Sequence, residues 1–178
     1  MFHSCRIKFG SVTNLTDARY AAAVYADWVG FCFIPGHSRY IEPIKAKEII
    51  DWLSGPKMVA ELGALMPETM MSALEILLID TVQVNNPIAA KAWKDAGFQV
   101  LYEGSDPPYP DLLRICAPDS ATHSDKEIID MSRLSLEEIK NNWLNPAPFG
   151  IQVIGGDESI PGIRDFAQID ELLELYEL

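Results

Sequence analysis

Short β-rich apolar runs alternate with amphipathic stretches along almost the whole chain. That alternation restricts the fold more than any other feature, because it calls for β/α units around a shared sheet rather than separate layers. The run Trp28 to Phe33 is apolar throughout, the form of a strand buried on both faces. Similar runs predict strands at Cys5–Phe9, Met58–Leu62, Ile79–Val84, Phe98–Tyr102, Asp111–Cys116, Glu127–Met131 and Phe149–Ile154. Helix starts fall between them. Thr13 or Thr16 is expected to cap the first helix, with Asp17 in its first turn, where the helix dipole favours an acid. Pro43, Pro67 and Pro87 suit first helical positions, and Gly97 suits a helix end. Ser135 with Glu138 forms a capping-box pattern, and Asp165–Leu175 reads as a closing helix.

The rhythm breaks after the fifth strand. Pro107, Pro108 and Pro110 fall in one short link that cannot hold a full helix. Another short polar link, Pro118–Asp125, follows the sixth strand. Eight strands in 178 residues fit a (β/α)8 TIM barrel of one domain, residues 1–178, although such barrels typically use about 250 residues. The shortfall is assigned to helices reduced or missing after strands 5 and 6. A doubly wound open sheet is the rival, but no Gly-x-Gly-x-x-Gly follows the first strand.

Composition limits the function classes. A formal charge of −12 argues against nucleic acid, whose phosphates need clustered Lys and Arg. No apolar stretch approaches the ~20 residues of a membrane span, and no signal-peptide pattern opens the chain. Cys5, Cys32 and Cys116 lie far apart and read as small apolar residues in a reducing, cytoplasmic setting. His3, His37 and His123 share no metal-ligand spacing, and no cofactor is expected. The four tryptophans fit helix–sheet packing.

Two N-terminal segments carry a family resemblance. Residues 6 to 20 read Arg-Ile-Lys-Phe-Gly-Ser-Val-Thr-Asn-Leu-Thr-Asp-Ala-Arg-Tyr, and residues 26 to 43 include Val-Gly-Phe-Cys-Phe-Ile-Pro and Ser-Arg-Tyr-Ile-Glu-Pro. Together they resemble phosphoribosylanthranilate isomerase, whose signature is Lys-Ile-Cys-Gly-Ile-Thr-Asn. The resemblance implies a TIM barrel and an Amadori rearrangement, in which an aminoaldose becomes an aminoketose through an acid and a base on opposite sides of the substrate. It also places the family's catalytic cysteine on Gly10 and the following glycine on Ser11. The family's Gln-Leu-His-Gly becomes Gln83-Val-Asn85-Asn86. Gly155 and Gly156 take the Ser-Gly places of the last loop, and Arg164 the lysine's. Cys116 falls where the family carries a catalytic aspartate, with Asp119 three residues beyond. The Gly-Gly-Thr-Gly loop is missing, and Ile129-Asp-Met-Ser132 replaces a phosphate-cradling Leu-Ala-Gly-Gly turn.

These matches define the candidate site. The catalytic candidates are Cys116 and Asp119. The ligand-binding candidates are Lys8, Asn14, Arg39, Gln83, Asn85, Gly155 and Gly156. Arg39 takes the place of the family arginine that approaches the anthranilate carboxylate, and a guanidinium fork suits such a group. Lys8 faces the same side of its strand as Gly10, so it needs a carboxylate or carbonyl inside the barrel. Asn14 and Asp17 either line the mouth or cap the helix. Gln83 and Asn85 can bind but cannot act as acid or base near neutrality.

Three functional readings follow. The first is an isomerase-like barrel without isomerase activity, holding a small anionic or phosphorylated ligand at its mouth. The second is a working isomerase with displaced catalytic groups. The third is an interaction or scaffold protein without a small-molecule site. A homodimer is expected, covering strands left bare by the missing helices.

Overall fold

A computed structural model describes residues 3–155 and 165–177. Eight parallel strands close into a barrel in sequence order: β1 (Arg6–Gly10), β2 (Trp28–Cys32), β3 (Lys57–Gly63), β4 (Thr81–Val84), β5 (Gln99–Glu103), β6 (Leu113–Cys116), β7 (Glu127–Asp130) and β8 (Gly150–Ile154). Pairing of β1 with β8, Lys8 opposite Gln152, completes the closure. The open-sheet rival is thereby excluded. Among the described residues, five helices join strands, α1 (Leu15–Ala23), α2 (Pro43–Ile50), α3 (Pro67–Leu77), α4 (Pro87–Asp95) and α5 (Leu136–Asn142), and α6 (Ala167–Glu174) follows β8. No helix lies between β5 and β6, and only a 3-10 turn, Pro118–Ser120, lies between β6 and β7. No helix among the described residues is long and apolar enough to cross a membrane.

Local chemistry accounts for the helix starts. Pro43, Pro67 and Pro87 open α2, α3 and α4, where the missing N–H costs no hydrogen bond. The capping box holds: Ser135 accepts from the Glu138 amide, and Glu138 accepts from the Ser135 amide at 2.8 Å. The cap of α1 falls on one of the candidates named from the sequence. Asn14, not either threonine, accepts from the Asp17 amide at 2.9 Å. Its amide oxygen sits on an extended backbone at the position where the first free N–H groups converge.

The two faces of each strand divide the core. Trp28, Val59, Leu101, Ile115 and Ile128 form one cluster inside the barrel. The alternate residues Val29, Phe31, Ala60, Val82, Val100, Cys116 and Ile129 pack in the outer cluster with the helices. Trp93 of α4 is fully buried there and donates its indole N–H to the Leu65 carbonyl at 2.8 Å. Burying such a ring stabilises the barrel by roughly 2–3 kcal/mol, and the bond removes the penalty for its polar edge. Trp28 lies inside the barrel instead of under a helix. Trp52 is 75% exposed and packs no core at all.

The strands that lack helices are not bare. Tyr102, Leu112 and Cys116 are buried. Arg114 of β6 is buried on the outer side. It donates to the Ser105 carbonyl at 2.6 Å and the Ser120 carbonyl at 3.0 Å, and it pairs with Glu127 of β7. Glu127 also accepts from the Thr122 amide at 2.8 Å and the Thr122 hydroxyl at 2.6 Å. The two links are thus pinned onto the sheet by one ion pair, and they cover the strand faces expected to need a partner.

Candidate functional site

The strands' C-terminal ends, where barrels of this type carry their sites, converge on a buried polar cluster. Lys8 of β1 is fully buried and points inward. Its ammonium donates to Glu61 Oε1 at 2.7 Å and to Gln152 Oε1 at 2.9 Å. Glu61 of β3 also accepts from the Ser11 amide at 3.1 Å and, through Oε2, from the Ser11 hydroxyl at 2.6 Å. Burial pushes the Glu61 carboxyl up, but the Lys8 charge and the hydrogen bonds from Lys8 and Ser11 outweigh it and hold the group below the usual carboxylate range. The lysine therefore finds the carboxylate that its inward position demands.

Two glycines make room for this carboxylate. A Cβ on Gly10 would lie 3.3 Å from Glu61 Oε1, and a Cβ on Gly30 of β2 would lie 2.1 Å from it. The second distance is impossible for real atoms, so no side chain fits at Gly30 while Glu61 holds its place. The space into which a side chain at Gly10 would project is taken by a residue from another strand.

Other inward groups ring this cluster. Gln83 of β4 is buried and donates to Glu103 of β5 at 2.9 Å, while its amide oxygen has no hydrogen-bond partner among the described residues. Asn85, one step past β4, is exposed. Asp130 ends β7 two residues after the inward Ile128, and it accepts from the Ser132 amide at 3.0 Å. Glu103 and Asp130 line one cleft of about 270 Å³. Cys32 of β2 is buried beside Lys8, Glu61 and Glu103; burial above all pushes its thiol up, and the two carboxylates add to this.

Neither catalytic candidate from the sequence is built for proton transfer. Cys116 packs in the outer core, and burial pushes its thiol up to about 11, which leaves no thiolate at neutral pH. Asp119 sits exposed in the 3-10 turn. The alternation of β6 explains the first outcome, since Ile115 takes the inward place and Cys116 the outward one.

The remaining binding candidates meet on the β1–β8 side. The Asn14 amide donates to Asp17 Oδ2 at 3.0 Å, so Asn14 both caps α1 and orients the buried Asp17. A Cβ on Gly155 would lie 2.9 Å from Asp17 Oδ2. Arg39, in the loop after β2, donates to the Gly155 carbonyl at 2.7 Å. A cleft of about 540 Å³ is lined there by Arg39, Arg133, Ser132, Gly155 and residues of α6. Gly156 and Arg164 lie outside the described residues. Lys8, Gln83 and Gln152 thus share the barrel interior, while Arg39 and Gly155 share the rim.

Sequence reasoning missed Glu61, Glu103, Asp130 and Cys32. A signal was present for each carboxylate: every one stands two residues after an inward apolar residue, Val59, Leu101 or Ile128. Strand alternation alone aims them into the barrel.

Comparison with known proteins agrees with the fold and the resemblance. None of the protein-family models matches the chain. The N-(5'-phosphoribosyl)anthranilate isomerase of Desulfitobacterium hafniense is 31% identical over 119 residues, which cover 64% of this chain and 49% of that protein. This chain therefore spans about half the length of that relative in the match. The corresponding enzyme of Thermotoga petrophila is 25% identical across 95% of this chain and 97% of its own length. Among solved structures, monomers generated from the dimeric phosphoribosylanthranilate isomerase of Thermotoga maritima superpose with a TM-score of 0.74 at 20% identity, covering 96% of this chain and 97% of theirs. The relatives and the solved structure named here are all phosphoribosylanthranilate isomerases, and it is these proteins that the barrel resembles in sequence and in fold.

Proposed function

We propose that this barrel does not carry out the isomerisation of its relatives and holds a small anion, a phosphate or a carboxylate, at its mouth. The observation that carries the first part is the position of Glu61. Its carboxylate fills the space beside Gly10 and accepts from Lys8, the Ser11 amide and the Ser11 hydroxyl. A general base works best with a pKa near the operating pH, whereas this carboxyl is held below its ordinary range. It is a stable acceptor and a weak base. Loss of one positioned acid or base typically costs about 10²- to 10⁴-fold in rate.

Anion binding is supported by the two guanidinium groups, Arg39 and Arg133, that line the cleft beside Gly155. Barrel enzymes frequently place phosphate near the loops after strands 7 and 8. Lys8 contributes nothing there directly, being spent on Glu61 and Gln152. The ligand role of Gln83 and Asn85 is to present amide groups on the β4 side of the same mouth.

Purified protein supplied with phosphoribosylanthranilate tests the first part. Substrate fluorescence is expected to fall no faster than in buffer. A second reading is favoured by the same carboxylate: Glu61 stands beside the place of the missing cysteine, so it is the displaced base if turnover does occur, with Glu103 or Asp130 as the acid. Turnover by the native chain that disappears in Glu61→Gln would establish that reading. Thermal-shift measurements with phosphate and anthranilate test anion binding. Stabilisation lost in Arg39→Ala supports it, and no stabilisation at millimolar ligand favours a scaffold. By analogy with the dimeric Thermotoga maritima protein, this cytoplasmic barrel is proposed to form a homodimer, which light scattering at micromolar concentration checks.

A further inference from the structure

A cleft of about 720 Å³ opens at the other end of the barrel, among the turns that lead into β2, β3, β5 and β6. Its volume falls in the range of small-molecule sites, ~300–1,000 Å³. Trp28 and Leu101 of the inner cluster form its apolar floor together with Leu113. The residues one step nearer the strand starts, Lys57 and Gln99, are exposed polar side chains instead of core, so the edges of Trp28 and Leu101, although largely buried, border the cleft. Tyr25 stands at the rim with 67% of its surface exposed.

The charges of this cleft run against those of the chain. Arg6, Lys57 and Lys94 line it beside only two acids, Asp27 and Asp111, in a protein of formal charge −12. Both acids are committed. Asp27 accepts from Arg6 at 2.9 Å and from the Ile7 amide at 2.9 Å, and Asp111 accepts from Lys94 at 2.6 Å. Lys57 makes no ion pair among the described residues. The Arg6 guanidinium lies 5.7 Å from the Trp28 ring and 5.6 Å from the Phe149 ring. Aromatic neighbours fix a guanidinium by its face and leave donors at its edge for a carboxylate.

We infer that this cleft is a second ligand site, which takes a small carboxylic acid with an aromatic or otherwise apolar body. The body rests on Trp28, Leu101 and Leu113, and the carboxylate meets Lys57 and the edge of Arg6. Isolated cations on a polar surface bind any anion weakly. Here the apolar floor adds a requirement for the body, so inorganic phosphate is a poor occupant. The inference does not depend on the proposed function, since Arg39 and Gly155 lie at the opposite end of the barrel.

Amide NMR of the intact 178-residue chain titrated with benzoate tests it, with benzylamine as a probe of similar shape and opposite charge. Benzoate is expected to shift Ser54, Gly55, Lys57, Gln99 and Leu101, and benzylamine is expected not to. Lys57→Glu reverses an exposed charge and should weaken benzoate by about tenfold or more. Gln99→Trp should block the cleft by volume, and Arg39→Ala should leave binding unchanged. Benzoate shifts centred on Arg39 and Gly155, equal shifts from both probes, or no shifts at millimolar benzoate would each overturn the assignment.

Discussion

Two buried ion pairs cross neighbouring or nearby strands of this barrel, and they do opposite jobs. Lys8–Glu61 lies inside, toward the strand ends where barrels of this type carry their sites. Arg114–Glu127 lies outside, where helices would ordinarily cover the sheet. The inner pair closes space, and the outer pair supplies cover. Both carboxylates gather extra donors, from Ser11 in one case and from Thr122 and Ser124 in the other. Burial alone does not tell a site from a support. The strand face does.

Breaking the inner pair should have the largest effect. Glu61→Ala leaves the fully buried Lys8 ammonium with Gln152 as its one remaining partner, and loss of about 3–5 kcal/mol is expected in denaturant unfolding. The double change Lys8→Met with Glu61→Leu should recover most of that loss, because an apolar pair avoids the desolvation cost. Recovery would show that the pair shapes the interior without stabilising it.

Arg114→Ala tests the outer pair. Glu127 keeps its Thr122 and Ser124 donors, so a smaller loss of about 2 kcal/mol is expected. The released links should also become sensitive to protease near Ser105 and Ser120, a change that Glu61→Ala should not produce.

Acid brings the two pairs together. Burial raises both carboxyls, but charge and hydrogen bonds win at Glu61, and hydrogen bonds from Thr122, Arg114 and Ser124 win at Glu127, so both end below the ordinary range. A lowered folded-state pKa contributes stability that is complete above the unfolded carboxyl value of about 4.3 and disappears as pH falls through the folded value. Unfolding stability measured down through that window should decline, and Glu61→Gln should flatten the decline. The smallest effect is expected at the α1 cap, where Asn14→Ala should cost about 1 kcal/mol.

The barrel was legible in the sequence because each strand is a short apolar run and each helix start carries its own local chemistry. Pro43, Pro67, Pro87 and Ser135 act within a few residues of themselves, so no tertiary knowledge was needed. Thr13, Asn14 and Thr16 could all cap, and only the backbone conformation chooses among them. The missing helices were legible from the prolines of the 104–110 link, whereas Arg114–Glu127 as their replacement was not. That pair depends on which of two strand faces ends up without a helix.

The site was less legible than the fold. Lys8 announced its need for an acid, but its partner lies 53 residues away, and only barrel closure brings β3 and β8 to it. The two readings of Cys116, apolar core residue and catalytic candidate, could not be separated for a related reason. One residue of register decides whether a side chain faces the interior or the helices.

Gly30 gives the arrangement a direction. A thiol returned to position 10 would confront a carboxylate tip that can swing aside, since the 3.3 Å contact is with the end of a long side chain. A Cβ at position 30 would meet that same tip at 2.1 Å, so the carboxylate must leave its place before any side chain fits there. An engineer placing a thiol there should therefore change Glu61 together with Lys8, so that no buried ammonium is left unpaired, and rebuild positions 10 and 30 afterwards.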